Sequence, residues 1–455
     1  MEKGMLTDEN IRGMFHGTAD FVARELNCGA GRVHTYYIDG LTSGGDMGDL
    51  VFKPLFQNLT GDMAGAYDQA LHGNIYCAST SACRDLDDAA LKLVNGFCLV
   101  LFPGVGAVAF ETKSGAVRGP SGPEVENTVK GPKDAFVETI RINTSLIRRH
   151  LRTPDLCFYE TRVGQRSLTN VAVVWIEGLT NPNLVSRMKR RLDEIYIDGL
   201  ISPAAVEEYV TGSRKTAFPL IQYTERTDKF CQGLLDGRIG LLVDGIPLAY
   251  LAPADLGYLM ESPEDRGRDF ITASAVRVLR YLALITGLLL PGFYVALQPV
   301  LQSETISYSV AAEVLGLLIA FELLQESGVH LPQAIGQSVS VVGGIVVGSA
   351  AVEAGLISST ALIVVSIAGI CGFVLPNRDL AEGVRVWRFA IALLSAFAGL
   401  IGTAAGTLWL LTHLVRLRCL GLPFLCLNRS VLRPRLKKNK ERNERLNPQD
   451  RRNQR

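Results

Sequence analysis

Long stretches without charge dominate the second half of the chain. From Tyr281 to Leu411 there are only ten Asp, Glu, Lys or Arg residues. The uncharged runs are Tyr281–Leu297 (17 residues), Leu331–Val352 (22), Ala354–Asn377 (24) and Phe389–Leu411 (23). A helix needs about 20 mainly apolar residues to cross the hydrocarbon core of a bilayer. A surface helix of a soluble protein would show a charged face, and these runs show none. They also contain Gly343, Gly344, Gly348, Ala350 and Ala351, then Gly399, Gly402 and Gly406. Small faces of this kind let membrane helices pack closely. The expectation is an all-α multi-span membrane domain over 273–427, with spans near 279–301, 331–352, 356–376 and 389–412.

A polar helix over 305–325 fits this scheme less well. It holds Glu313 and Glu322, nine residues apart and therefore on opposite faces at 100° per residue. A helix spanning alone would turn one carboxylate to lipid, at a cost of several kcal/mol. Topology bears on the choice. No apolar signal-peptide core precedes the polar first half. From Arg429 to Arg455 eleven Lys or Arg face three acids, a basic tail hidden by the overall net charge of +1. Basic flanks stay cytoplasmic. Both ends inside requires an even number of crossings, so 305–325 is expected to be interfacial or re-entrant. The loop carrying Arg378, Arg385 and Arg388 opposes this placement, but the tail outweighs it.

The first half reads as a cytosolic α/β domain. Strands are expected at 33–38, 97–102, 171–176 and 239–245, where β-branched and aromatic residues gather. Helices are expected at Asp134–Leu151 and Pro182–Ile195; in the second, Leu184, Met188, Leu192 and Ile195 recur at helical spacing. The segment Tyr37-Ile38-Asp39-Gly40-Leu41 matches Tyr196-Ile197-Asp198-Gly199-Leu200, and apolar strands follow Gly96 and Gly237. Two readings stand: a duplicated pair of α/β subdomains, or chance similarity. The resulting division is 1–30 (a helical lead-in), 31–130 and 131–272 (subdomains), then the membrane domain and a 428–455 tail.

Nine cysteines lie scattered without CxxC pairs or His partners at metal-ligand spacing. The six histidines lie far apart and follow no nucleophile pattern. No enzyme site, metal, cofactor or nucleic-acid partner is expected.

The stretch 122–156 carries a set of motifs in fixed order. Pro123, Glu124 and Glu126 form a Pro-Glu-x-Glu step, and Gly131, Pro132 and Lys133 a turn. Phe136, Glu138, Asn143, Leu146, Ile147 and Arg148 follow on a helix. Further on come RLDEIYIDGLI with Asp198 and Gly199, FPLIQYTERTDK, LLDGRIGLLVDGIPL with Asp244 and Gly245, SPEDRGRDF, LLPGFYVAL and LGLPFL. In this order they resemble the A-subunit family of bacterial spore germinant receptors, which includes SpoVAF-like members. The resemblance spans roughly residues 20–427.

That resemblance implies a nutrient germinant receptor A subunit in the inner spore membrane, partnered by B-type (transporter-like) and C-type (lipoprotein) subunits. It further implies a homo-oligomer forming a ligand-gated cation channel. Two alternatives stand beside this: a SpoVAF-like channel that amplifies ion release, and a non-conducting scaffold. The chain departs from the family at Thr227, where relatives carry Pro, and at Ser349, where they carry Gln. It also lacks a segment with a Pro-Phe-Pro step between Gln302 and Ile306. Glu313 and Glu322 are candidate pore residues against the reading of a helix that faces water. Gly343, Gly344 and Gly348 are candidate packing residues against a neighbouring copy. Lipid is an expected contact of the membrane domain, and of the tail.

Overall fold

The computed structural model describes residues 5–77, 79–114, 126, 131–200, 202–212, 216–302, 308–329 and 348–425. The chain divides into two compact units. The described residues of 1–212 and 221–253 make up the first, those of 213–220 and 254–425 the second.

The first unit contains two five-stranded antiparallel sheets. In the first, β1 (Phe21–Cys28), β2 (Gly31–Ile38), β3 (Thr80–Ala82), β4 (Phe97–Phe102) and β5 (Gly106–Glu111) lie in the order β1-β2-β4-β5-β3. In the second, β6 (Leu156–Val163), β7 (Thr169–Ile176), β8 (Gln222–Thr224), β9 (Ile239–Val243) and β10 (Ala249–Ala252) repeat that order as β6-β7-β9-β10-β8. Each final hairpin is preceded by a nine-residue helix, Leu86–Val94 in one sheet and Thr227–Leu235 in the other. Gly96 (φ 83°) and Gly237 (φ 86°) stop these helices at equivalent places, in the left-handed region that glycine adopts without strain. The unit thus holds two sheets of one strand order, the arrangement a duplication would give. The pentapeptides that first suggested it are not equivalent, because Tyr37–Ile38 closes β2 whereas 196–200 follows the Pro182–Asp193 helix.

Alternation along the strands explains the layering. In β4 and β5, Leu99, Leu101, Ala107 and Ala109 pack with Ile11, Phe15 and the Leu86–Val94 helix. Cys98, Val100, Phe102, Val108 and Phe110 point the other way, onto Met47, Val51, Leu55 and Ala66. Helices thus cover both faces of the first sheet. The 1–30 segment is not merely a helical lead-in. Helix Asp8–Met14 is followed there by β1, an edge strand whose residues are only partly buried. The expected Asp134–Leu151 helix begins later, at Ile140. The Asn143 side chain occupies the preceding backbone: Nδ2 donates to Val137 O (2.6 Å) and Oδ1 accepts from Val137 N (2.9 Å).

Among the described residues the second unit contains four long helices, Phe270–Gln302, Tyr308–Val329, Ser359–Val374 and Arg378–Arg416. Two of them, Phe270–Gln298 and Arg378–Arg416, are long and apolar enough to cross a membrane. Contacts fix their directions. A Cβ on Gly287 would meet Cys371, and Tyr294 reaches Thr360 (Oη–Oγ1 2.8 Å). The first and third helices are therefore antiparallel. Glu313 reaches Ser358 and Phe321 covers Gly369, so the second runs parallel to the third. Val295, Ala311, Val314, Leu318, Val365, Ala392 and Ala396 form a shared core. The helix Tyr308–Val329, which overlaps the 305–325 segment expected to be interfacial or re-entrant, packs in this bundle through Ala311, Val314 and Leu318.

The last helix differs most from expectation. At Gly399 the backbone leaves helical geometry (φ 57°, ψ −136°). Beyond it the chain doubles back. A Cβ on Gly402 would collide with Leu394 O, a Cβ on Gly406 would lie 3.2 Å from Ile391, and Trp387 packs edge-on against Trp409 (4.9 Å). The stretch read as one span over 389–412 is the tip of a hairpin. Its arms, 378–398 and 400–416, are about 31 and 25 Å long at 1.5 Å per residue. Hydropathy records composition alone, so it cannot distinguish one pass from two apolar arms joined at a glycine.

Candidate functional site

Several of the motifs of the first unit meet around Arg226. Glu126 Oε1 accepts from Lys229 Nζ (2.6 Å), and its other oxygen accepts from Thr224 Oγ1. Arg226, fully buried, forks onto Asp228 (Nε–Oδ1 3.0 Å, Nη2–Oδ2 2.8 Å) and donates to the carbonyls of Glu126 and Pro132. A bidentate guanidinium–carboxylate pair fixes direction as well as charge. Here it fixes the guanidinium that holds Glu126 and Pro132 to the start of the Thr227–Leu235 helix.

Next to it, Thr227 Oγ1 donates to Asp134 Oδ2 (2.8 Å) and lies 3.1 Å from His150 Nε2, which sits 2.6 Å from the same carboxylate oxygen. Burial pushes the Asp134 carboxyl up, but the hydrogen bonds from His150 and Thr227 outweigh it and hold it below the ordinary value. A proline at 227 has no hydroxyl for this triangle.

Two further anchors frame the cluster. Arg148 and Asp20 are both buried and pair through Nε–Oδ2 (2.8 Å) and Nη2–Oδ1 (2.9 Å). Asp244 Oδ1 accepts from Ile140 N (3.0 Å), capping the Ile140–His150 helix, and Gly245 N donates to Glu138 O (2.8 Å).

In the second unit the polar side chains sit at the two ends of the bundle. At one end Glu313 Oε2 accepts from Ser358 N (3.1 Å) and Oγ (2.9 Å), at the start of the Ser359–Val374 helix. Towards the other, Glu322 Oε1 accepts from Arg385 Nη1 (2.7 Å). Arg388 is buried and donates from Nη1 to Ala368 O (3.0 Å). Arg280, near the start of the first long helix, forks onto Asp265 (2.6 and 2.8 Å) ahead of it and also donates to Met260 O. Burial raises the Asp265 carboxyl, but Arg280 and the Ser262 N–H pull it below its usual value.

Residues 9–444 match the family described as Bacillus/Clostridium GerA spore germination protein. The chain belongs to the GerA family. It is 31% identical over 433 residues to the uncharacterized membrane protein YfkQ of Bacillus subtilis, covering 92% of this chain and 84% of that one. It is 30% identical over 426 residues to spore germination protein KA of the same organism, covering 90% and 78%. A crystal structure of the N-terminal domain of the A subunit of the Bacillus megaterium spore germinant receptor GerK3 aligns at TM-score 0.41 and 26% identity, covering 54% of this chain and 92% of that one.

The GerA motif residues thus fall into separate roles. Glu126 and Pro132 join the Arg226 cluster. Gly131 adopts φ 149°, which favours glycine. Asn143, Arg148, Asp244 and Gly245 hold the Ile140–His150 helix in place. Asp198 and Gly199 stand apart: the Asp198 carbonyl accepts from the backbone N–H groups of Arg166 and Ser167, while Gly199 approaches Gly164. Pro123, Glu124, Gly343 and Gly344 lie outside the described residues. Gly348 faces Leu362 of its own chain, at 3.3 Å from an added Cβ. Sequence reasoning missed Asp20, Asp134, His150, Ser358 and the pairing of Arg385. Their partners are 128, 93, 77, 45 and 63 positions away, and single-sequence periodicity does not reach that far.

Proposed function

We propose that this chain is the A subunit of a nutrient germinant receptor, forming a homo-oligomeric channel for monovalent cations in the inner spore membrane. The reading rests chiefly on Glu322, which carries a charge on an apolar bundle yet leaves half of its side chain exposed. A carboxylate at a membrane helix surface is costly unless it faces protein or a water-filled path. A second copy of the chain, or a shared pore, supplies that surroundings. Rings of Asp or Glu select cations by field and geometry.

The helix directions support six crossings in place of four. Among the described residues the first two long helices run antiparallel, the second and third run parallel, and both hairpin arms follow; the uncharged Leu331–Val352 run is counted as a crossing on its composition alone. An even count keeps the α/β unit and the eleven-residue basic charge of the tail on one side, and the positive-inside rule assigns that side to the cytoplasm. Transporter-like and lipoprotein subunits are the proposed partners, and no catalytic role is assigned.

Purified protein in a planar bilayer tests the reading. Cation-selective steps are expected. Oligomers that insert and never conduct would leave the scaffold role in its place.

A further inference from the structure

Inside the helical unit stands a positive charge that no carboxylate of the described residues meets. Arg388 is 4% exposed. Its Nη1 donates to Ala368 O (3.0 Å), and its buried Nε finds no acceptor among the described residues. The acids on the neighbouring turns are turned elsewhere. Glu322 accepts from Arg385 Nη1 (2.7 Å), while Glu382 lies 3.5 Å from Arg385 Nη2 and 3.6 Å from Arg378 Nε. The uncharged Leu331–Val352 run has no acid to add. A charge withdrawn from water and left without a counter-charge is costly, so its retention calls for a role.

Glu322 stands at the same level of the bundle. The Phe321 ring lies against Gly369, the residue after Ala368, whose carbonyl Arg388 holds. Glu322 follows Phe321 in its helix and leaves half of its side chain exposed. One helix thus presents a carboxylate outward while another keeps a guanidinium inside, at one height. In low-dielectric surroundings a charge acts over longer distances than in water, and salt screens it less.

The energy of an ion in a field is proportional to its charge. A carboxylate acting alone therefore attracts a divalent cation twice as strongly as a monovalent one. A fixed positive charge at the same level offsets that advantage, and a barrier that slows K⁺ by some factor slows Ca²⁺ by the square of it.

We infer that Arg388 is the valence-determining residue of the cation path past Glu322, its buried charge admitting K⁺ and turning back Ca²⁺. The inference rests on that proposed path. Glu322 supplies the attraction for cations, and Arg388 sets which valence passes.

Reversal potentials of the purified full-length protein in a planar bilayer, with KCl on one side and CaCl₂ on the other, give the Ca²⁺ to K⁺ permeability ratio. The parent should favour K⁺. Arg388→Gln should raise the ratio at least about tenfold, and Arg388→Lys, which keeps the charge, should retain the parent value. Cys371→Asp places a carboxylate one turn beyond Ala368 in the same helix and leaves the guanidinium in place. It should raise the ratio as Arg388→Gln does, and it carries the test if Arg388→Gln fails to fold. A parent that passes Ca²⁺ as readily as K⁺, or a ratio unchanged in either folded variant, would overturn the assignment while the path at Glu322 stands. A lower melting temperature with an unchanged ratio would leave Arg388 as a staple for the Ala368 carbonyl only. A parent that inserts and carries no cation current would remove the path and this assignment together.

Discussion

Ser395 Oγ and Thr403 Oγ1 lie 2.8 Å apart in a buried contact, although eight residues separate them. In a continuous helix eight residues advance about 12 Å. The contact exists because Gly399 reverses the chain, and the buried small residues Gly402 and Gly406 let the two arms approach. Close packing of small residues, rather than a hydrophobic drive, holds such arms together in lipid.

Under the proposed topology the hairpin tip lies on the opposite side of the membrane from both chain ends. In a cysteine-free background, single cysteines at Ala398 and Asn453 should label from opposite sides of sealed vesicles. Failure of Ala398 to label from either side would restore a single pass over 389–412, and labelling of both from the same side would contradict the proposed topology. Gly399→Val should lower the melting temperature of the solubilised protein, since a left-handed φ costs a non-glycine residue about 1–2 kcal/mol.

The Arg148–Asp20 pair joins the segment ahead of β1 to the Ile140–His150 helix and is fully withdrawn from water. Removing one partner strands the other charge. Arg148→Met should destabilise the α/β unit by about 3–5 kcal/mol, read as a fall in the urea midpoint. The double variant Arg148→Met with Asp20→Asn should recover a large part of the loss.

Asp134 contributes a pH dependence of defined sign. Its carboxyl titrates lower in the folded chain than its ordinary value of 3.8. The stabilisation is therefore complete above the unfolded value and disappears as pH falls through the folded one. Asp134→Asn should melt earlier than the parent at neutral pH, and the two curves should converge in acid, below about pH 4. A constant offset at every pH would assign the effect to packing.

The sequence disclosed strands where both faces are buried and hid them where pairing does the work. β4 and β9 are runs such as FCLVLF and IGLLV, apolar throughout. β1 carries Arg24, Glu25 and Asn27 on an edge, and its place is set by register against β2 (Phe21 opposite Ile38). β3 and β8 are three residues each, too short for any period. In the helical unit, apolar length was legible, whereas the partners of Glu313 and Glu322 were not. A helix considered alone turns one of the two carboxylates to lipid; Ser358 and Arg385, 45 and 63 residues on, meet them, and half of the Glu322 side chain stays exposed.

The reversal potential of the purified protein under a KCl gradient in a planar bilayer tests the central claim most directly. The account expects a potential near that of K⁺, shifted towards zero in Glu322→Gln, whose folded fraction and oligomer mass should match the parent. A potential that is anion-selective, or identical in the two proteins, would contradict a cation path past Glu322.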